Sequence, residues 1–452
     1  MDHSGNHEPI FPNRVGFHYF PDTLHFNDAE IQRWLPILKR LQAQWLVILT
    51  PIERAIPESF IQAFSSEEIN LVIDFDLAAG MPFIRSDLEP LIEAYGKWGA
   101  KYILLNHTPN LKKSWTPRDW GNSELIANFS NQFIEFARIS LDSGIRPVFS
   151  PLYPGGDYWD MAFLKNCGFY ILDHASDMVI NNLTFSAYGW DFGKSLDWGI
   201  GGQAAWPQAK AYHTSNGTQD QMGFRSHEWY LAVVESIFSK KLPFLLFQIG
   251  LPGEKTHLVP DVHKLDINKL DAMIRLLNRE NVFNMVVPGE LLNHIPDEVI
   301  SGNFYLLASD NPQDLDFQWF SPLGEALLPA QAFFIRHQPK VETDLYSTGK
   351  INKDPEKNRN FKFNRYILIS EQLCEQIPDL LEKLHPYLIR HKPLVGSNQT
   401  EAIQSAVIVY ISTDFESNND LLDDLRVNGS LVMTFHPDEI PNMISELSHA
   451  EE

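Results

Sequence analysis

The hydrophobic and polar positions in the first three quarters of the chain follow two alternating patterns. Short β-prone runs are typical of strands, and several are apolar at consecutive positions, as in strands covered on both faces. Between most of them, segments such as AEIQRWLPILKRL and SELIANFSNQFIEFARISL repeat apolar residues at helical spacing, which predicts helices. The predicted strands are VGFHYF (15–20), WLVIL (45–49), LVIDFD (71–76), YILLN (102–106), PVFSPLY (147–153), the region of NNLTFSAY (181–188), FLLFQIG (244–250) and VFNMVV (282–287).

This order of elements predicts the fold class. Eight strands that alternate with helices over roughly 330 residues predict a (β/α)8 TIM barrel, which has this number of strands. A doubly wound open sheet is the alternative, and it would need no eighth strand. Because 452 residues exceed what one hydrophobic core usually serves, we expect a second, smaller domain.

The second domain is predicted at the C-terminal end. The barrel takes residues 1–340, and the polar, charge-dense segment 341–365 has no periodicity and is predicted to be a linker. Residues 366–452 repeat a βα pattern: YILIS, a helix over 372–390, AVIVYIS, a helix near 420–427, and SLVMTF. This predicts a compact three-layer α/β domain. It resembles the small α/β repeats of cell-wall-binding surface proteins, which implies a cell-wall glycan as one candidate partner.

Composition and charge narrow the class of partner. The formal charge is −22, whereas attraction to phosphate needs a basic face, so nucleic acid and anionic membranes are excluded as main partners. The two cysteines, Cys167 and Cys374, indicate no disulfide framework. The start MDHSGNHEPIFPN lacks a signal-peptide pattern, and no apolar stretch of about 18 residues occurs. We therefore expect a soluble, cytoplasmic protein that binds neutral ligands, with a surface location left open.

Polar and aromatic side chains follow the predicted strands where a barrel enzyme carries its chemistry, at the carboxyl ends. Seven of the eleven tryptophans also lie between residues 115 and 229, most of them in predicted loops. A sugar ring needs aromatic platforms flanked by Asn, Asp, Gln and His, so the group favours a carbohydrate groove. The alternative for each single tryptophan is the packing of a long loop. The strand-end residues include His18, Asp74, Asp76, Asn106, His107, Thr108, Asn110, Asp157, Trp159, Tyr188, Trp190 and Gln248.

The stretches GFHYF, HTPN, PLYPGGDYWD and IGLPG occur in an order that resembles a retaining glycoside hydrolase of the large (β/α)8 clan. The resemblance covers about residues 13–335 and depends on strand-end positions. It implies an acid/base Glu at the end of strand 4 and a nucleophilic Glu at the end of strand 7. Such a pair stands about 5 Å apart and cleaves through a glycosyl intermediate.

The chain departs from the pattern of this clan at both catalytic positions. Thr108 stands at the acid/base position and Gln248 at the nucleophile position. A hydroxyl is no general acid near neutral pH, and an amide lacks the charge of a carboxylate. Both side chains still form hydrogen bonds with sugar hydroxyls. We therefore expect a carbohydrate-binding pseudoenzyme whose substrate-binding residues are His18, Asn106, His107, Asn110, Asp157, Trp159, Tyr188, Trp190 and Gln248.

Two other functions stay open from the sequence. An active hydrolase with relocated acids would use two carboxyls from Asp74, Asp76, Asp157, Asp191, Asp197 and Glu254. Their alternative role is hydrogen bonding and capping at the barrel mouth. A structural or assembly scaffold that self-associates through its aromatic loops is the third function, and an exposed apolar patch would favour it.

No metal or cofactor is expected. His257, Asp261 and His263 have ligand-capable side chains, but a solvated loop with a helix N-cap is the commoner arrangement. GWDFGKS is one residue short of the phosphate-loop spacing. The sequence also contains no G-x-S-x-G, so serine hydrolase chemistry is unsupported.

Overall fold

The computed structural model describes residues 13–81, 84–253, 266–284, 291–337, 363–369, 373, 376–377, 380–391, 393–402, 405–413 and 431–440. The chain forms two compact units, Met1–His337 and Gln338–Glu452. Residues 341–362 of the predicted linker, the predicted helix near 420–427 and Cys374 lie outside the described residues. The last part of the predicted linker, 363–365, belongs to a strand instead.

The first unit is a barrel of eight parallel strands, so the predicted fold class is confirmed. The sheet order is β5-β4-β3-β2-β1-β8-β7-β6, and a parallel bridge between Val148 and Thr184 joins its two edges. The strands are β1 (Val15–His18), β2 (Trp45–Leu49), β3 (Asn70–Leu77), β4 (Tyr102–Asn106), β5 (Arg146–Val148), β6 (Phe185–Tyr188), β7 (Phe244–Ile249) and β8 (Val299–Phe304).

Helices surround this barrel with their apolar faces turned to the sheet. The helix at Asp28–Arg40 begins where the Asn27 side chain accepts a hydrogen bond from the Glu30 amide, and it buries Trp34 completely. None of the described helices is long and apolar enough to cross a membrane. The helices are α1 (Asp28–Arg40), α2 (Glu58–Ser65), α3 (Arg85–Trp98), α4 (Pro117–Trp120), α5 (Leu125–Asp142), α6 (Asp160–His174), α7 (Asp177–Asn182), α8 (Gly202–Ala205), α9 (Ser226–Phe238), α10 (Ile267–Leu277) and α11 (Leu328–His337).

The prediction of the eighth strand at 282–287 is wrong. β8 has the sequence VISGNF, whose interior Ser301, Gly302 and Asn303 break the apolar run that marks the other strands. These small and polar residues fit tight surroundings, since a Cβ at Gly302 would come within 2.6 Å of a Leu277 methyl carbon. In the predicted segment, Phe283 forms an isolated bridge with Leu291, and 285–287 lie outside the described residues.

Alternation along β3 places the acidic side chains that follow. Successive strand residues face opposite sides of a sheet, so Leu71, Ile73 and Phe75 join the outer core under the helices. Val72 packs inside the barrel instead, in one cluster with Val47 of β2. By the same period of two, Asp74 faces the inside. Asp76 follows where the pairing of β3 with β4 shifts register between Asp74 and Leu77, and it lines the same cavity as Asp74 at the mouth of the barrel.

The second unit contains a parallel sheet of four strands, which confirms the smaller α/β domain. Its order is β10-β9-β11-β12, and apolar side chains cover both of its faces. Leu380 and Leu384 of a helix pack on one face, and Ala402 of a short helix lies on the other. The elements are β9 (Phe363–Ile369), α12 (Leu380–His391), β10 (Leu394–Gly396), α13 (Gln399–Ala402), β11 (Ser405–Ile411) and β12 (Leu431–Phe435).

Candidate functional site

A cavity of about 490 Å³ opens at the carboxyl ends of the barrel strands. Ligand sites of (β/α)8 barrels lie at this end, because the loops after the strands converge there. Polar and aromatic side chains line the cavity from β1, β3, β6 and β7 and from the loops after β1, β4, β6 and β8. They are His18, Phe20, Asp74, Asp76, His107, Thr108, Lys113, Ser114, Tyr188, Trp190, Gln248 and Tyr305.

A chain of hydrogen bonds crosses the floor of the cavity from β3 to β6. Asp74 Oδ2 lies 2.8 Å from His107 Nε2, and His107 Nδ1 lies 2.9 Å from the Tyr188 hydroxyl. Burial opposes the charge on His107, but Asp74 and, more weakly, Asp76 outweigh it and raise the pKa of His107. Burial, together with the two carboxylates, raises the pKa of Tyr188. The Tyr188 hydroxyl therefore keeps its proton, and both ring nitrogens of His107 are occupied.

Asp76 differs from Asp74 in its surroundings. Asp74 is buried, and its Oδ1 accepts a hydrogen bond of 3.0 Å from the Asp76 backbone N–H. The Asp76 side chain is exposed to the cavity, and its carboxyl has no hydrogen-bond partner among the described residues. Partial burial, reinforced by the charge of Asp74, raises the pKa of Asp76, although His107 acts against this. Asp76 thus offers an unbonded carboxyl to any ligand in the cavity.

On the opposite wall, His18 and Gln248 present hydrogen-bond donors. The Gln248 backbone N–H donates to His18 Nε2 at 3.0 Å, and burial lowers the pKa of His18 to about 3. His18 is therefore neutral, with its proton on Nδ1. Trp190 Nε1 donates to Gln248 Oε1 at 3.2 Å, and because an indole N–H only donates, the Gln248 amide nitrogen is left without a partner among the described residues.

Three residues around the cavity have strained backbones. Asp76, Thr108 and Gln248 adopt φ angles of 44°, 45° and 52°, in the left-handed region that non-glycine residues seldom occupy. They stand on or just after three different strands, β3, β4 and β7. Such conformations are often found at functional sites, where the surrounding structure holds them. The strain therefore supports this cavity as the functional region of the barrel.

Two of the aromatic residues predicted to bind the sugar pack against each other instead. Tyr188 and Trp190 stack on each other with ring centroids 4.0 Å apart and planes within 9°, and both side chains are buried. They line the cavity but do not form an open platform. Tyr305, just after β8, is a partly exposed aromatic residue of the lining, and it was not among the predicted residues because the predicted eighth strand lies elsewhere. Lys113 and Ser114 were also missed, since they follow HTPN in a loop without a recognisable pattern.

Four predicted binding residues do not line the cavity: Asn106, Asn110, Asp157 and Trp159. Asn110 is fully buried and joins two loops, donating to the Tyr153 and Tyr158 carbonyls and accepting from the Tyr153 N–H. Asn106 accepts a hydrogen bond from Ser150. Asp157 is exposed and accepts from the Lys112 backbone N–H, and Trp159 packs against the outer core. A role for these residues in binding stays a prediction to which the cavity gives no support.

The remaining candidate acids are either paired or undescribed. Asp191 forms an ion pair of 2.7 Å with Lys269. Asp197 Oδ2 accepts a hydrogen bond of 2.9 Å from Asn284, whereas its buried Oδ1 has no hydrogen-bond partner among the described residues, and Asp197 does not line the cavity. Glu254, His257, Asp261 and His263 lie outside the described residues. In the part of the chain that is described, no group of three His, Cys, Asp or Glu side chains is arranged to hold a metal ion.

Comparison with known proteins gives structural neighbours but no family. No family model matches the sequence, and no curated protein matches it. The structure is similar to a GH128 endo-beta-1,3-glucanase from Amycolatopsis mediterranei in complex with laminaripentaose, at 11% identity over 71% of this chain and 98% of that chain, with a TM-score of 0.35. A GH128 endo-beta-1,3-glucanase from Sorangium cellulosum matches at 11% identity over 71% and 97%, with a TM-score of 0.39. A monomeric beta-xylosidase from Caulobacter crescentus matches at 10% identity over 72% and 68%, with a TM-score of 0.43.

Proposed function

We propose that the barrel unit binds a neutral saccharide in the cavity at the carboxyl ends of its strands. The observation that carries this proposal is the set of unsatisfied polar groups around one cavity: the Asp76 carboxyl, the Gln248 amide nitrogen and the His18 Nδ1–H. They offer both acceptors and donors, as sugar hydroxyls need. The negative charge of the chain disfavours nucleic acid as the ligand.

The same proposal includes the loss of the retaining carboxylate pair. Thr108 and Gln248, which stand at the two positions named by the resemblance, both line the cavity. Neither side chain forms a glycosyl intermediate or donates a proton at neutral pH. Thr108 Oγ1 lies 3.4 Å from Ser114 Oγ, and Gln248 Oε1 accepts from Trp190, so the two side chains belong to a hydrogen-bonding lining. Double displacement through these positions is therefore not part of the proposed function.

A second candidate function is hydrolysis by a relocated acid. The unbonded carboxyl of Asp76 in the cavity favours it. Saccharide binding is common to both functions, and only the fate of the bound sugar distinguishes them.

Binding is tested by a thermal-shift screen against neutral mono- and oligosaccharides, followed by calorimetry on those that stabilise the protein. A ligand that binds only the folded state raises the midpoint of unfolding by mass action. Gln248→Ala removes the amide donors, and we expect it to reduce the shift, because weaker binding stabilises the folded state less at the same ligand concentration. Gln203→Ala, in exposed α8, is the matched control and keeps the shift. Absence of a shift with every saccharide in the wild-type protein contradicts the proposed function.

A further inference from the structure

Asp74 and Asp76 are two residues apart on β3 but differ in their hydrogen bonding. Asp74 Oδ2 contacts His107 and its Oδ1 accepts the Asp76 backbone N–H, so both of its oxygens are engaged. The Asp76 carboxyl faces the same cavity without a hydrogen bond to any described residue. The left-handed backbone of Asp76, with φ at 44°, turns the chain at this point. The Asp74 carboxyl is therefore engaged in contacts within the protein, and the Asp76 carboxyl is available to a ligand in the cavity.

We propose that Asp76 is the catalytic proton donor of this cavity and acts on the glycosidic bond of a neutral saccharide. The proposal rests on saccharide binding in the cavity, the function proposed above. It assigns Asp74 and His107 as positioning residues, because their mutual contact of 2.8 Å leaves neither of them available to the sugar. It needs neither carboxylate of the retaining pair.

The proposed hydrolysis needs water as its one co-reactant. The Asp76 carboxyl gives its proton to the glycosidic oxygen, the bond between that oxygen and the anomeric carbon breaks, and the electron pair stays on the leaving oxygen. Water then adds to the anomeric carbon and returns a proton to the Asp76 carboxylate. The products are the sugar with a free anomeric hydroxyl and the released alcohol, and the acid is restored.

The electrostatic surroundings suit a carboxyl that must hold a proton. The titratable groups that line the cavity with Asp76 are His18, Asp74, His107, Lys113, Tyr188 and Tyr305. Burial and the negative charge of Asp74 raise the pKa of Asp76, while His107 partly offsets them. His18 stays neutral, since its Nε2 accepts the Gln248 backbone N–H. A general acid works best with a pKa raised towards the working pH, so the charge pattern supports the geometric argument.

The test compares two kinds of leaving group. Wild type and Asp76→Asn are assayed on a panel of neutral disaccharides and on 2,4-dinitrophenyl glycosides of the same sugars. A sugar leaving group needs a proton, whereas dinitrophenolate leaves without one. We expect Asp76→Asn to slow disaccharide cleavage by about 10²- to 10⁴-fold, the usual contribution of a general acid, and dinitrophenyl glycoside cleavage by less than about tenfold. Asp173→Asn, an exposed carboxyl of α6, is the control and leaves both rates unchanged.

Asn is chosen at position 76 because it is enriched in the left-handed region that this residue occupies, so the variant is expected to fold.

The wild-type rate should also fall as pH rises through the raised pKa of Asp76, because the acid loses its proton. This decline of the rate with pH should disappear in Asp76→Asn. Equal rates for wild type and Asp76→Asn on disaccharides overturn the assignment. A saccharide that binds the wild-type protein but is never cleaved also overturns the assignment of Asp76, while the proposed binding function is kept. Absence of both binding and cleavage overturns both.

Discussion

The cavity and the loop after β5 contain the same kinds of residue but use them differently. In the loop, with the sequence FSPLYPGGDYW at 149–159, polar groups are bonded to other parts of the protein: Asn110 binds the backbone at Tyr153 and Tyr158, and Asp157 accepts the Lys112 N–H. In the cavity, the Asp76 carboxyl and the Gln248 amide nitrogen have no described partner. Residue type marks both regions as candidate sugar sites, whereas hydrogen-bond satisfaction separates them.

The difference indicates where the polar groups serve stability and where they serve a ligand. A buried donor or acceptor without a partner destabilises the fold by about 1 to 3 kcal/mol, so loops are joined by groups such as Asn110. A polar group that faces a cavity meets water instead and stays available for exchange with a sugar hydroxyl. The cavity is therefore expected to determine binding and pH dependence, and the loop to determine stability.

The largest expected effect is a pH dependence of the free energy of unfolding that belongs to the cavity and not to the loop. His18 has its pKa lowered to about 3 by burial, against about 6.5 in the unfolded chain, and the loop sequence contains no histidine. Between these two values the unfolded state binds a proton at His18 and the folded state does not. The free energy of unfolding therefore falls as pH falls from 6.5 towards 3, by about 4 to 5 kcal/mol in total from this residue. In His18→Gln, the decline measured by urea unfolding should be shallower by about 1.4 kcal/mol per pH unit in this window. An unchanged slope would show that His18 titrates normally in the folded protein.

The next effect belongs to the loop. Asn110→Ala removes the bonds of a fully buried side chain to the Tyr153 N–H and to the Tyr153 and Tyr158 carbonyls, and the Tyr153 carbonyl keeps its other bond, from the Gly156 N–H. We expect the free energy of unfolding to fall by about 3 kcal/mol. Asn128→Ala, an exposed position in α5, is the matched control and should change it by less than about 0.5 kcal/mol. If the two variants are equally stable, Asn110 does not join the loops as described.

A smaller effect concerns the buried pair on the cavity floor. The pKa of His107 is raised against the effect of its burial by Asp74 and Asp76, so its stabilising contribution is complete below about pH 6.5 and disappears as pH rises through the raised value. His107→Gln should therefore destabilise the protein by about 2 kcal/mol at pH 6 and by less at pH 9, as measured by urea unfolding. A larger loss at pH 9 than at pH 6 would reverse the sign of this contribution.

Most of the barrel follows from its hydrophobic pattern, because strands covered on both faces show as apolar runs. β2 and β4 have the predicted bounds, and β7 differs by one residue. β8 could not be found in this way, since Ser301, Gly302 and Asn303 interrupt its apolar run, and Tyr305 was lost with it. The predicted positions of Asp74, Asp76, His107 and Gln248 follow from strand ends, and all four line the cavity.

The roles of individual residues could not be predicted, because they depend on partners distant in sequence. Asp74 and His107 are 33 positions apart and Trp190 and Gln248 are 58 apart, so neither contact is visible in a local pattern. The same applies to Trp159, whose loop position suggests stacking on a sugar although its ring packs against the outer core.

Calorimetry with the saccharide found in the screen compares the two regions most directly. Gln248→Ala changes the cavity, and Trp159→Ala changes the loop. We expect Gln248→Ala to weaken binding about tenfold or more, since the loss of the amide donors is equivalent to about 1.4 kcal/mol or more. Trp159→Ala should keep the dissociation constant within about twofold of wild type. Loss of binding in Trp159→Ala with binding retained in Gln248→Ala would place the sugar in the loop and contradict this account.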